Sequence, residues 1–142
     1  SGFVVSGPNK TREMRQLRAY AGAPLPLPIQ RVSTRVWSDE DHVIANREMY
    51  QDKFNDADEI FKGINSYTSP EAGFFLWLPV EDGEQAALKL WQDTGVRVLP
   101  GAYLSRPDPS GDPGTGFIRV ALVAPKTETQ RGLTQIRDCL YT

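Results

Sequence analysis

The sequence predicts an α+β fold, a small antiparallel or mixed sheet flanked by helices. Three observations carry this. Residues 73–80 and 116–124 are runs of branched and aromatic residues bounded by Gly and Pro, as buried strands are. A shorter run, residues 96–99, ends at Pro100-Gly101. Between them lie amphipathic stretches with helical spacing, so the order from Asp39 onward reads helix, strand, helix, strand, strand, helix.

Taken in order, residues 3–5 read as a short strand and Ser6-Gly7-Pro8 as a turn. Asn9 or Thr11 is placed to cap a helix that carries Met14, Leu17 and Tyr20 and stops at Gly22. Pro24, Pro26 and Pro28 alternate through residues 23–28. Proline lacks an amide hydrogen and disfavours helix in the residue before it, so this is an extended connector, with a proline-rich recognition segment as the alternative. Helical sequence resumes and runs through Trp37. Ser38 followed by Asp39, Glu40 and Asp41 suits the start of the longest helix, which runs toward Gly63. Its apolar stripe is Val43, Ile44, Arg47, Tyr50, Phe54, Ala57, Ile60 and Phe61. Ser69-Pro70-Glu71-Ala72 turns into the strand at 73–80. A helix over 84–93 carries Ala87, Leu88 and Trp91 on one side, and Gly95 closes it. Residues 106–114 form a loop rich in Pro, Asp and Gly. A last helix, with Glu128 near its start, turns Leu133, Ile136 and Leu140 inward.

Composition excludes several roles. At 142 residues the chain can bury a core, and its hydrophobic content of 39% with 24% charged residues is that of a soluble globular protein. A net charge of −2 with no dominant basic stretch argues against nucleic acid as partner. No apolar run reaches the roughly 18 residues a membrane span needs. The one cysteine, Cys139, fits a reducing cytoplasm. The one histidine, His42, sits among first-turn acids, where a solvated role is expected, and with Cys139 far away in sequence no metal-ligand spacing exists. There is no phosphate-cradling glycine loop followed by Lys-Ser/Thr, and no glycosidase-like carboxylate pair stands out. Lys10, Lys53, Lys62, Lys89 and Lys126 all lie in polar helical or loop contexts, and none reads as desolvated.

One residue breaks its context. In the strand over 116–124, period-2 alternation puts Phe117, Arg119, Ala121 and Val123 on one face and Ile118, Val120 and Leu122 on the other. A guanidinium is always charged, so burying it unpaired is very costly. Either an acidic residue pairs with Arg119, or it reaches water at a sheet edge, or it faces a pocket that receives an anion. Its planar fork suits a carboxylate.

Three segments, Ala72-Gly73-Phe74-Phe75-Leu76-Trp77, Val96-Arg97-Val98-Leu99-Pro100-Gly101 and Phe117-Ile118-Arg119-Val120-Ala121, resemble in this order the C-terminal part of class I/II (fold-type I) pyridoxal-phosphate aminotransferases. Residues 21–28 and 73–78 look most like the bacterial N-succinyldiaminopimelate aminotransferase-like branch. The resemblance implies that residues 1–22 are a strand-helix remnant of the large cofactor-binding domain, 23–38 a proline-rich connector and interdomain helix, and 39–142 the small C-terminal domain. It gives Arg119 the role of gripping the α-carboxylate of amino- and 2-oxo-acid substrates, with Phe74, Phe75 and Tyr103 as candidate walls. Ser1-Gly2-Phe3 matches the strand that follows the Schiff-base lysine and a phosphate-binding arginine, so both are expected upstream of residue 1. No catalytic, cofactor-binding or metal residue is therefore assigned in this chain. Pyridoxal 5'-phosphate is expected in a cytoplasmic, homodimeric parent of amino-acid biosynthesis, and the chain alone is expected to be inactive. Another fold-type I chemistry, such as a C–S lyase or synthase, and a stand-alone non-catalytic α+β binding domain are the alternatives.

Overall fold

The computed structural model describes residues 2, 4–22 and 25–141. The chain forms two compact units, Ser1–Ala45 and Asn46–Thr142.

In the first unit, α1 spans Pro8–Ala21 and α2 spans Leu27–Trp37. Both start with proline in the first turn, where its missing amide hydrogen costs nothing. Gly7 is therefore the N-cap of α1, not Asn9 or Thr11, and no side chain caps the helix. The Thr11 hydroxyl instead donates to the Ser6 carbonyl at 3.1 Å. Val4 and Val5 are exposed and outside any strand, contrary to expectation, since the predicted strand finds no partner to pair with. Phe3, the first residue of that prediction, lies outside the described residues, as do Ala23 and Pro24 of the connector. Neither α1 nor α2 buries a residue. Ile29, Val32 and Val36, at helical spacing, leave an exposed apolar stripe on α2.

Helix α3 runs over Asp41–Ile60, and its later turns supply Phe54 and Ala57 to the core of the second unit, with Phe61 just beyond. There follow β1 (Phe75–Pro79), α4 (Gly83–Thr94), β2 (Leu99–Pro100), a 3-10 turn (Gly101–Tyr103), β3 (Phe117–Ala121) and α5 (Lys126–Leu140). This is the predicted element order. The sheet is antiparallel throughout, in the order β1-β3-β2, so the last strand in sequence is central.

The sheet has one dry face. Leu76, Leu78, Ile118 and Val120 point into the core with Leu122 beyond β3, against Leu90 of α4 and Leu133 and Ile136 of α5. All are buried, as the period-2 reading of the last strand requires. Leu140 is only partly buried.

Two expectations fail here. The stretch 96–98 is not strand; only Leu99 and Pro100 pair with β3. Gly95 takes a left-handed conformation to end α4, and the Val96 amide then donates to the Thr94 hydroxyl at 3.2 Å, so a ladder donor is used locally. The inward face of α4 is Gly83, Ala86 and Leu90, while Leu88 and Trp91 are exposed. Close approach decides this. A Cβ on Gly83 would collide with the Phe117 carbonyl oxygen, so only small residues bring the start of α4 this near to β3.

Candidate functional site

The opposite face of the sheet is open and aromatic. In the antiparallel register Arg119 lies between Trp77 of β1 on one side and Leu99 of β2 on the other, while Phe75 faces Ala121 and Pro79 faces Phe117. Cross-strand partners share a face, so Phe75, Trp77, Phe117, Arg119 and Leu99 form one surface. Trp77 stacks on Phe117, with centroids 5.4 Å apart and planes 22° from parallel. Its far edge lies where a Cβ on Gly101 would sit only 3.0 Å away. The Pro100-Gly101 pair thus serves packing: glycine lets the turn after β2 pass under the indole and against the Gly114 and Phe117 carbonyls.

Arg119 is half-buried on this surface, with its guanidinium carbon 4.9 Å from the centre of the Phe75 ring. Among the described residues no carboxylate lies within ion-pair distance of it, and none of its N–H groups has a hydrogen-bond partner. Of the three readings left open above, the internal salt bridge is thus set aside among these residues. The Phe75 ring in turn packs against Phe74 at 4.1 Å between centroids, and Phe74 against Tyr50 of α3 at 5.9 Å.

The structure brings Phe75 onto Arg119 and Phe74 onto Phe75. It does not bring in Tyr103, which lies in the 3-10 turn, is 65% exposed, and has no side-chain partner among the described residues. Trp77 is the neighbour that sequence reasoning passed over. The signal was present, since period-2 alternation puts it on the face of Phe75.

A second residue was misread. Lys53 is 5% exposed, a desolvated amine on the core side of α3. Its ammonium donates to the Leu122 carbonyl at 2.6 Å and the Ala124 carbonyl at 2.7 Å and lies 5.2 Å from the Tyr50 ring centre. Ala124 also accepts from the Thr129 hydroxyl at 3.0 Å. The clue was position, because Lys53 lies three residues after Tyr50 and four before Ala57 on the apolar stripe.

Pyridoxal phosphate requires a free amine and a phosphate cradle. Lys53 is engaged by two carbonyls, and Lys10, Lys62, Lys89 and Lys126 each pair with a carboxylate, of Glu13, Glu59, Asp93 and Asp56. The described residues do not fit the cofactor by themselves. Nor do any three of their His, Cys, Asp or Glu side chains group to hold a metal ion. His42 is exposed, 3.9 Å from Asp39. No described helix is long and apolar enough to cross a membrane.

Over 96% of its length the chain is 36% identical to an aminotransferase of Neisseria meningitidis of known structure, with a TM-score of 0.86, and covers 35% of that chain. Its sequence relatives and structural neighbours are aminotransferases. The LL-diaminopimelate aminotransferase of Dehalococcoides mccartyi is 26% identical over 96% of this chain and 35% of its own length. The probable N-succinyldiaminopimelate aminotransferase of Thermus thermophilus is 30% identical, with a TM-score of 0.51, over 64% of this chain and 24% of that one. The chain therefore spans about a third of the length of the Neisseria and Dehalococcoides aminotransferases. No family model matches it. The α+β architecture is that of the corresponding third of the aminotransferase neighbours.

Proposed function

We propose that this chain is the part of a pyridoxal-phosphate aminotransferase that binds the α-carboxylate of amino-acid and 2-oxo-acid substrates, through Arg119. One observation carries the reading. The guanidinium stands on an open sheet face with no carboxylate of its own among the described residues, so its N–H edge is available to an anion. Similarity to aminotransferases along nearly the whole chain supports the choice of anion.

The chemistry assigned to these residues is binding and orientation. A carboxylate held by two parallel N–H···O bonds loses its rotational freedom, and that sets the direction of the bond to be broken at the α-carbon. The cofactor, when bound in the parent, supplies the electron sink, and its binding groups belong to the remainder of the parent. This chain alone is read as inactive. A diaminopimelate-type amino acid with 2-oxoglutarate is the substrate pair to try first, because two of the relatives named above carry diaminopimelate in their names. A cytoplasmic homodimer is the expected parent, with the single free thiol Cys139 as the support for that compartment.

In the parent aminotransferase, Arg119→Ala should lower kcat/KM for the amino acid by about a hundredfold, on the order of 3 kcal/mol for a bidentate charged contact. Arg119→Lys should recover little, because the fork is lost. The half-reaction, followed by cofactor absorbance, measures both. Kinetics of Arg119→Ala close to the unaltered enzyme would refute the assignment.

A further inference from the structure

Resting on the carboxylate-binding reading of Arg119, we infer that Phe75 is a positioning residue, whose ring face presents the guanidinium to the substrate. The planar guanidinium has two kinds of surface. Its faces attract the electron-rich face of an aromatic ring, and its edge carries the N–H donors. In this chain the Phe75 ring lies 4.9 Å from the guanidinium carbon, while the edge has no partner among the described residues. The ring can therefore steady the cation without consuming a donor. An acidic partner could not do this, because it would occupy the same N–H groups that the substrate needs.

The ring is itself held. Phe74 packs on it at 4.1 Å, Tyr50 packs on Phe74 at 5.9 Å, and the Lys53 ammonium lies 5.2 Å from the Tyr50 ring centre. The succession from Lys53 to Arg119 ties the guanidinium to α3 through aromatic contacts. Phe75 is also anchored by its backbone, since it pairs with Ala121 at the end of β1. It is half-buried, which leaves its attraction for the cation incompletely screened by water. Phe75 thus acts through Arg119, whereas a wall residue would touch the substrate itself.

The test uses the full aminotransferase that contains this chain, with 4-fluoro-, 3,5-difluoro- and 3,4,5-trifluorophenylalanine incorporated at position 75. Fluorination drains the ring face of negative potential and hardly alters its size, so folding and packing are preserved. The amino-acid KM should rise stepwise with the number of fluorines, to roughly three- to tenfold for the trifluoro ring, with kcat within about twofold. Phe75→Leu should show a KM increase at least as large, and Phe75→Trp should hold KM near its starting value. A flat KM across the fluorinated series, or a loss confined to kcat, would overturn the inference. Flat KM in the series while Arg119→Ala remains damaging would sink the positioning role alone. An Arg119→Ala enzyme with unchanged KM would sink the carboxylate reading beneath it.

Discussion

Lys53 brings a charge into the core with no carboxylate beside it among the described residues. What receives the charge is the exit of β3, where the Leu122 and Ala124 carbonyls converge on the ammonium. Substituting methionine keeps the aliphatic stem and removes the donor. Ala124 would keep the Thr129 hydroxyl, but the described bonds leave the Leu122 carbonyl no other donor. Lys53→Met should therefore cost about 2–3 kcal/mol, the penalty of one buried carbonyl losing a charged donor, read as a lower urea midpoint at unchanged m. Tyrosines report the alkaline limit. Burial pushes Tyr141 up to about 12, and its hydroxyl donates to the Pro79 carbonyl at 2.8 Å. Tyr67 is raised as well, by burial and then by its hydrogen bond to Asp58. A phenol with a raised folded pKa contributes stability that is complete below its unfolded value near 10 and drains as pH climbs through the folded value. Denaturation midpoints should accordingly fall between pH 10 and 12, and Tyr141→Phe should shrink that fall. A fall of full size in Tyr141→Phe would remove Tyr141 as its cause.

Among elements, α4 and the turn after β2 show how close packing overrides periodicity. Two stripes on α4 were available to the core, Ala87-Leu88-Trp91 and Gly83-Ala86-Leu90. Hydrophobicity favours the first. The second is chosen because β3 approaches too near for a large side chain, and that distance is a tertiary property no single helix encodes. Asp82 completes the start of α4, its carboxylate accepting from the Glu84 and Gln85 amides at 2.9 and 3.1 Å. Asp82→Ala should cost about 1 kcal/mol. Gly101→Ala should cost more, about 2–3 kcal/mol, because the new methyl meets two backbone carbonyls that cannot yield easily. Thermal unfolding of the two variants side by side checks the ranking. The same logic separates what was legible in β3 from what was not. Its two faces followed from alternation alone, because Ile118, Val120 and Leu122 leave no other register for a buried strand. The loss of strand at 96–98 followed from a hydroxyl two residues back, Thr94, which composition cannot weigh against a ladder bond.

At the scale of the whole molecule, the two units differ in what they bury. Phe54, Ala57 and Phe61 begin a continuous core in the second, and α1 and α2 of the first bury nothing. Native-state amide exchange should divide along this line, with protection concentrated in β1, β3, α4 and α5 and fast exchange in α1 and α2. Equal protection in both units would contradict it. The element order of the second unit was legible because Gly and Pro punctuate every strand. The pairing order was not, since β1 and β2 are both apolar and either could have been central. Similarity to aminotransferases over nearly the whole chain agrees with the three segments 72–77, 96–101 and 117–121, whose order and spacing carry the resemblance where no single segment is specific.

The central place of β3 has a consequence for biosynthesis. It lies between β1 and β2 and is made after both. On the ribosome, neither earlier strand has a hydrogen-bonding partner until Phe117–Ala121 emerges. During that interval Phe75-Leu76-Trp77-Leu78 is an apolar segment with two bare edges, the kind of stretch that hydrophobic-binding chaperones retain and that aggregates when they are scarce. The strand that carries Arg119 is thus also the one whose arrival ends the chain's exposure, so the sheet and the aromatic face around Arg119 come into being in the same step.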